Sequence, residues 1–250
     1  MIRPLLVLIA LFSVSTPMAA QNYVRPDIDK DKSTVIRKLN FPYQEGLVLR
    51  YVGERTTMNP YGEFETEDFA MTYHVFDAPD IKKFDVVRFR LMTTTGFFTD
   101  SSVVDSTYLY VYKKGMKVWF HKSYDDLQDK VSLTIRLPLY KGLSWTTPGY
   151  SGEKTEMLCT NADSVILTPA GAIRVFVIRG DEYQKDKSTD SEFLLTSYEY
   201  YSPLLGKVGH TFTQKIKIED RWLEVFREDG MLESYTLPEG MSKPDLTAKF

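Results

Sequence analysis

Cysteine is almost absent from this sequence, which has one, Cys159, in 250 residues. A single thiol cannot cross-link its own chain, so the protein must be stabilised by a hydrophobic core rather than by disulfides. A chain of this length is long enough to bury such a core. Cys159 lies in an apolar, strand-like stretch, where we predict a buried and unreactive thiol.

Histidine is also scarce, and His74, His121 and His210 are far apart in the chain. No two of them have the spacing of metal ligands, so we predict no metal site and interpret each as hydrogen-bonded or solvent-facing. Glycine-rich phosphate loops and dinucleotide fingerprints are missing, so no cofactor is predicted. Acidic groups near turns, such as Glu65 and Glu67, are interpreted as solvated charges. With no nucleophile beside a base, we predict no catalytic residues.

Beyond residue 20 the chain contains no apolar stretch long enough for a membrane helix. We therefore expect a mature protein that is not transmembrane. An excess of basic residues is missing too, because 31 Lys and Arg stand against 34 Asp and Glu. This mildly acidic balance argues against a nucleic-acid partner, which requires a clustered basic face.

The first 20 residues have the features of a secretory signal peptide. Arg3 is followed by an apolar run and then by small residues that end at Ala20. Removing this segment takes away one cation and leaves a net charge of −4, from 30 basic and 34 acidic residues. No cysteine follows the expected cleavage site, so we predict a periplasmic or extracellular protein without a lipid anchor.

The rest of the chain is dominated by strand patterns. Residues 87–91 and 131–137 alternate strictly between apolar and polar side chains, which indicates half-buried strands. The pattern recurs, with varying clarity, at 47–55, 67–76, 104–112, 117–121, 153–167, 172–179, 192–201, 210–218, 222–227 and 231–237. Short turn sequences between the strands, such as 168–171 and Glu228–Gly230, predict antiparallel neighbours.

We therefore predict an all-β fold, an antiparallel meander curled into a barrel, a half-barrel or a two-layer sandwich. Helix is predicted only as single turns, near 34–39 and 124–130. A polar lead-in at 21–40 precedes one β domain at 41–240, and a C-terminal tail follows at 241–250.

Two similar stretches suggest that the domain has two halves. FPYQEGLVLRY begins at residue 41 and LPLYKGLSW begins at residue 137, with their Pro and Gly residues 96 positions apart. We interpret both as corners where Gly46 and Gly142 adopt a positive φ angle as the chain enters a strand. The predicted halves are residues 41–136 and 137–240.

Four segments between residues 137 and 237 occur in a recognisable order: LPLYKGLSW, ADSVILTPAGAIRVFVI, YEYYSPLLGKVGH and DGMLESYTL. The order P-L-x-x-G-x-x-W, P-A-G and Y-x-P-x-x-G-x-V resembles an uncharacterised family of exported bacterial all-β proteins. The resemblance implies export and a β architecture, and it implies no substrate, cofactor or catalytic residue.

Aromatic residues make up 14% of the chain and supply the one candidate ligand face. Tyr108, Tyr110 and Tyr112 alternate along one strand, and Trp119 lies in the next strand of the hairpin. These rings either pack in the core or line a concave pocket for an apolar ligand such as a lipid.

Three functions follow from the sequence. The first is non-enzymatic binding of an apolar ligand by an exported envelope protein. The second is a structural or protein-interaction module of the cell envelope, which would use its sheet edges or loops. The third, an envelope hydrolase, has the least support from the residues.

Overall fold

The structure is a computed structural model, and it describes residues 34–37, 44–77, 86–95, 103–113, 117–121, 132–148, 153–186 and 188–248. For residues 86–134 within these ranges, the description covers the backbone alone.

The described residues form twelve β-strands and contain no helix. The strands are β1 (Val48–Met58), β2 (Phe64–Asp77), β3 (Val86–Thr95), β4 (Val103–Lys113), β5 (Lys117–His121), β6 (Ser132–Arg136), β7 (Ser144–Pro148), β8 (Lys154–Thr168), β9 (Gly171–Asp186), β10 (Ser191–Ser202), β11 (Gly206–Ile218) and β12 (Arg221–Thr236). The all-β prediction is confirmed. The helical turn predicted at 124–130 lies outside the described residues.

All twelve strands belong to one antiparallel sheet, in the order β6-β5-β4-β3-β2-β1-β12-β11-β10-β9-β8-β7. Strands β1 to β6 form one meander, β7 to β12 form another, and the two meanders join where β1 pairs with β12.

The order of the strands requires the sheet to curl. Strands β6 and β7 stand at opposite ends of the sheet, yet only seven residues connect them in the chain. Twelve strands laid flat would separate the outer two by about 50 Å, since neighbouring strands lie about 4.8 Å apart. The connection spans less than about 30 Å even when fully extended. The sheet therefore curls until its two ends approach each other, without closing into a continuous ladder.

The two predicted corners have the same geometry. The φ angle is 81° at Gly46 and 84° at Gly142, as predicted. In each turn, Gln44–Leu47 and Tyr140–Leu143, the last residue donates its N–H to the carbonyl oxygen of the first, over 3.1 and 3.0 Å. The glycine N–H of each turn donates to a carbonyl oxygen of the second strand that follows, over 2.9 and 2.8 Å. The left-handed φ explains why glycine occupies both positions.

Two expectations for local structure were wrong. Instead of a helical turn near 34–39, Ile36 forms an extended bridge with Leu139, with both backbone hydrogen bonds 2.9 Å long. The buried side chain of Ile36 explains this, because the extended backbone carries it into the core. Instead of turning at Glu228–Gly230, β12 runs straight through this sequence. Strand β7 begins where the corner at Gly142 predicted that the chain enters a strand, although no period-two pattern marked it.

The core lies on the side of the sheet that we call the inner face, defined by Leu49 and Tyr51 of β1 and by Met71 and Tyr73 of β2. These four side chains are buried in one hydrophobic cluster, which extends as far as Trp145 in β7. The Tyr51 and Tyr73 rings lie 4.9 Å apart. Among the residues that the structure describes, no helix is both long enough and apolar enough to span a membrane.

Candidate functional site

The predicted ligand face falls on β4 and β5, where the backbone fixes the register. Tyr108 and Tyr110 pair with Arg90 and Arg88 of β3. Trp119 of β5 pairs with Val111 of β4, which lies between Tyr110 and Tyr112 in the chain. The side chains of these residues lie outside the described part of the structure.

The register connects this region to buried residues on both sides. On one side, Tyr108 pairs with Arg90, which pairs with the buried Val75 of β2. On the other side, Tyr112 pairs with Val118, which pairs with the buried Ile135 of β6. Two of the three tyrosines therefore belong to rows of the sheet that include a core residue.

A polar cluster lies on the inner face where the two meanders join. One row across the sheet consists of Phe69 of β2, Gly53 of β1, Gly230 of β12, His210 of β11 and Glu199 of β10. The two glycines leave space that larger side chains occupy. A Cβ atom on Gly230 would lie 2.6 Å from the imidazole Cε1 of His210, and one on Gly53 would lie 2.8 Å from the Phe69 ring.

This close approach explains why β12 does not turn at its Asp-Gly sequence. Gly230 is paired on both sides, with Gly53 and with His210. The preceding Asp229 accepts hydrogen bonds from Thr211 and Arg227. The glycine at this position therefore serves the packing of an imidazole ring rather than the geometry of a turn.

His210 is held by a carboxylate. Its Nε2 lies 2.8 Å from Oε1 of Glu228, and the imidazole is 7% exposed. Oε2 of the same carboxylate accepts from the guanidinium of Arg55, whose Nε lies 3.1 Å away. Arg55 also lies 3.7 Å from Glu67. A cation, a carboxylate and an imidazole are thus linked in a chain across three strands.

The pKa values follow from these contacts. Burial raises the pKa of Glu228, but hydrogen bonds from His210 and Arg55 outweigh burial and lower it to about 2. Burial lowers the pKa of His210 and the nearby Lys207 ammonium lowers it further, against the opposing effect of Glu228. At neutral pH the imidazole is therefore neutral, and its Nε2–H donates to an ionised carboxylate.

A second pair continues the cluster along β10 and β11. Glu199 accepts hydrogen bonds from Lys207, over 3.0 Å, and from the Tyr201 hydroxyl. Burial opposes ionisation of Glu199, but the Lys207 charge and the Tyr201 hydrogen bond lower its pKa overall.

The imidazole Nδ1 of His210 is buried and has no hydrogen-bond partner among the described residues. A neutral imidazole clamped at Nε2 by a carboxylate has the arrangement of a general base. Nδ1 is the nitrogen that would accept the proton, and within the described part of the chain no hydroxyl or thiol is hydrogen-bonded to it. Among the described residues no group of three or more His, Cys, Asp or Glu side chains could hold a metal ion.

Two cavities are open to the surface. One, of about 350 Å³, lies among polar residues where β9 ends and β10 begins, beside Gln184 and Phe193. The other, of about 540 Å³, lies along the end of β12 and is also lined by Ala170, Met241 and Lys243.

The chain was compared with known proteins. No protein-family profile and no curated protein matches it. Four solved chains do match. One is a presumed exported protein with a YmcC-like fold from Bacteroides fragilis, with 13% identity and a TM-score of 0.47 over 80% of this chain and all of that one. Another is a presumed lipoprotein from Parabacteroides distasonis, with 14% identity and a TM-score of 0.45 over 80% of this chain and 99% of that one.

Sequence reasoning did not find the polar cluster. It treated His210 as an isolated histidine and Glu67 as a solvated charge. The available signal was the pair Asp229 and Gly230 inside an otherwise continuous strand pattern, because a glycine within a strand marks a close approach.

Proposed function

We propose that this protein is an exported, non-enzymatic binding protein of the cell envelope whose ligand is an apolar molecule such as a lipid. The proposed ligand surface is formed by Tyr108, Tyr110 and Tyr112. Trp119 pairs with Val111, between two of these tyrosines, so the same register assigns it to the opposite face of the sheet and it is not part of this surface. The proposed localisation is periplasmic or extracellular, without a lipid anchor.

The observation that carries the proposal is the register of β3 to β5. Buried Val75 and Ile135 stand in the same rows as Tyr108 and Tyr112. Paired residues on neighbouring strands share a face of the sheet, which supports assigning these tyrosines to the inner face. Binding would be driven by burial of apolar area, at roughly 25 cal/mol per Å².

The test is titration with the uncharged fluorescent probe N-phenyl-1-naphthylamine. We expect saturable binding to the mature protein. Tyr110→Ser and Tyr112→Ser should each weaken binding about tenfold, because each removes an aromatic ring from the apolar surface. Tyr61→Ser is the matched control, since Tyr61 is 77% exposed in the β1–β2 turn, and it should leave binding unchanged.

A wild-type protein that does not bind the probe would contradict the proposal. So would binding that survives both substitutions in variants whose far-UV circular dichroism and melting temperature match the wild type. If either serine variant unfolds, Tyr110→Leu and Tyr112→Leu keep an apolar side chain and should retain most of the binding.

The hydrolase alternative receives less support. His210 and Glu228 form a hydrogen-bonded acid–base pair, but no nucleophile among the described residues is hydrogen-bonded to the imidazole Nδ1. The interaction-module alternative is favoured by the unpaired edge at the C-terminal end of β12.

A further inference from the structure

The C-terminal end of β12 has one unpaired edge. Strand β12 pairs with β1 as far as Thr236, but it pairs with β11 only as far as Met231. Beyond that point β11 and β12 separate. On the side away from β1, no strand among the described residues pairs with Glu233–Leu237.

On the side away from β1, the backbone of this edge can form main-chain hydrogen bonds with another strand. Where the edge begins, the Leu232 carbonyl oxygen accepts the N–H of Ala170, from the tip of the β8–β9 hairpin, over 3.2 Å. Ala170 thus occupies only the first position along the gap. The five residues that follow span about 17 Å of extended chain, enough for a short peptide strand.

A groove runs beside this edge. We call it the β12 groove and define it by Glu233–Leu237 together with Ala170, Met241 and Lys243; its volume is about 540 Å³. That volume lies in the range of ligand-binding clefts. Met241 is 51% exposed and supplies an apolar wall. The hydroxyl of Tyr235, a residue of the same edge, is buried and has no hydrogen-bond partner within the described ranges.

The charge of the groove indicates the kind of peptide that fits it. Glu233 is already neutralised by an ion pair with Arg50. Lys243 is exposed and makes no ion pair with any residue in the described part of the chain. The cation available to an incoming peptide is therefore Lys243, which favours an acidic side chain.

We propose that the β12 groove binds an extended peptide segment of another protein, which adds as a strand to β12 and places an acidic side chain beside Lys243. Main-chain hydrogen bonds supply affinity in this mode, and alternate side chains supply specificity. An apolar residue of the peptide packs against Met241 and Leu237. This site is separate from the proposed ligand surface on β4 and β5, so it does not depend on apolar-ligand binding.

The test is selection from a display library of random seven-residue peptides on the immobilised full mature chain. We expect enrichment of peptides that have alternating apolar residues, one acidic residue and no proline. Lys243→Glu should change the preferred charged residue from acidic to basic, and Met241→Asp should reduce recovery at least tenfold. Lys154→Glu, an exposed lysine at the start of β8, is the matched control and should select the same peptides as the wild type.

A second measurement tests strand addition itself. The best peptide is synthesised with N-methyl groups on alternate residues, in both registers. One register should lose binding at least tenfold in fluorescence anisotropy, because it removes the N–H groups that face β12. Equal binding in both registers would contradict the proposal, as would selection unaffected by Lys243→Glu. Light scattering that shows a dimer broken by Met241→Asp would overturn it in favour of a second copy of this chain.

Discussion

At the scale of single residues, the polar cluster on the inner face makes stability depend on pH. Three of its groups bind protons less readily when the chain is folded, because the pKa values of His210, Glu228 and Glu199 are all lowered. Below the ordinary pKa of each group, the unfolded chain binds a proton that the folded protein excludes. Each group therefore stabilises the fold at neutral pH and loses this contribution on acidification.

The contribution of His210 is lost first. Its unfolded pKa is 6.5, so we expect the melting temperature to fall between pH 7 and pH 5. His210→Gln keeps a donor for Glu228 but does not titrate, and the groups facing it, Lys207, Glu199 and Arg55, stay unchanged. The variant should show a shallower decline over this pH range, measured by circular dichroism melts. Parallel curves for the two proteins would contradict the assignment.

The contribution of Glu228 is lost at lower pH. Its pKa changes from 4.5 to about 2 on folding, which corresponds to a contribution on the order of 3 kcal/mol above pH 4.5. This stability disappears as the pH falls from 4.5 towards 2.

Cys159 gives a second prediction at this scale. The thiol is fully buried, burial raises its pKa to about 12, and it contacts the carbonyl oxygen of Asn161 at 3.5 Å. Because the thiolate is the reactive form, the native protein should not react with Ellman's reagent at pH 8 within an hour. In 6 M guanidinium chloride it should release one equivalent of thionitrobenzoate within minutes. Rapid reaction of the folded protein would show that the thiol is accessible.

At the scale of the strands, the glycine pair of β1 and β12 determines how closely these strands pack. A Cβ on Gly53 would lie 1.9 Å from the Asp229 carbonyl oxygen, which is backbone and cannot move aside alone. We expect Gly53→Ala to lower the free energy of unfolding by about 3 kcal/mol or more. The measurement is urea denaturation followed by fluorescence.

The control for this substitution is the next residue in the strand. Glu54 is exposed, so Glu54→Ala should change the free energy of unfolding by less than about 0.5 kcal/mol. If the Gly53→Ala variant had the same free energy of unfolding as this control, a Cβ at position 53 would fit between β1 and β12. The close approach of these two strands would then be contradicted.

The strands also show what the sequence could predict. Period-two alternation identified eleven of the twelve strands, because a half-buried strand alternates apolar and polar side chains. It split β12 at Asp229 and Gly230, since a turn and a close strand approach use the same residues. It gave no pattern for β7, SWTTP, in which Trp145 is the only large apolar residue, and there the corner at Gly142 was the one indication of a strand.

The polar cluster could not be predicted for a different reason. Arg55 and Glu228 are 173 positions apart in the chain, and they meet only because β1 pairs with β12. A register shift between Arg50 and Tyr51 sets which residues face each other. No local pattern in either strand encodes that shift.

At the scale of the whole molecule, the sequence predicted two corners, and the chain forms two meanders, each preceded by one of these corners. Only the structure shows that β1 pairs with β12 and that β6 and β7 face each other at the open ends of the sheet. We propose that the halves at 41–136 and 137–240 are equivalent units, supported by the matching turns at Gly46 and Gly142.

The central claim is that this curled sheet binds an apolar molecule without changing it. The most direct test is native mass spectrometry of the mature protein, exported by its host and purified without detergent. The account predicts a bound species of lipid-like mass, released unmodified by solvent extraction and lost when Tyr110 and Tyr112 are both replaced by serine. A chain that carries no ligand and takes up none from an extract of envelope lipids would contradict it.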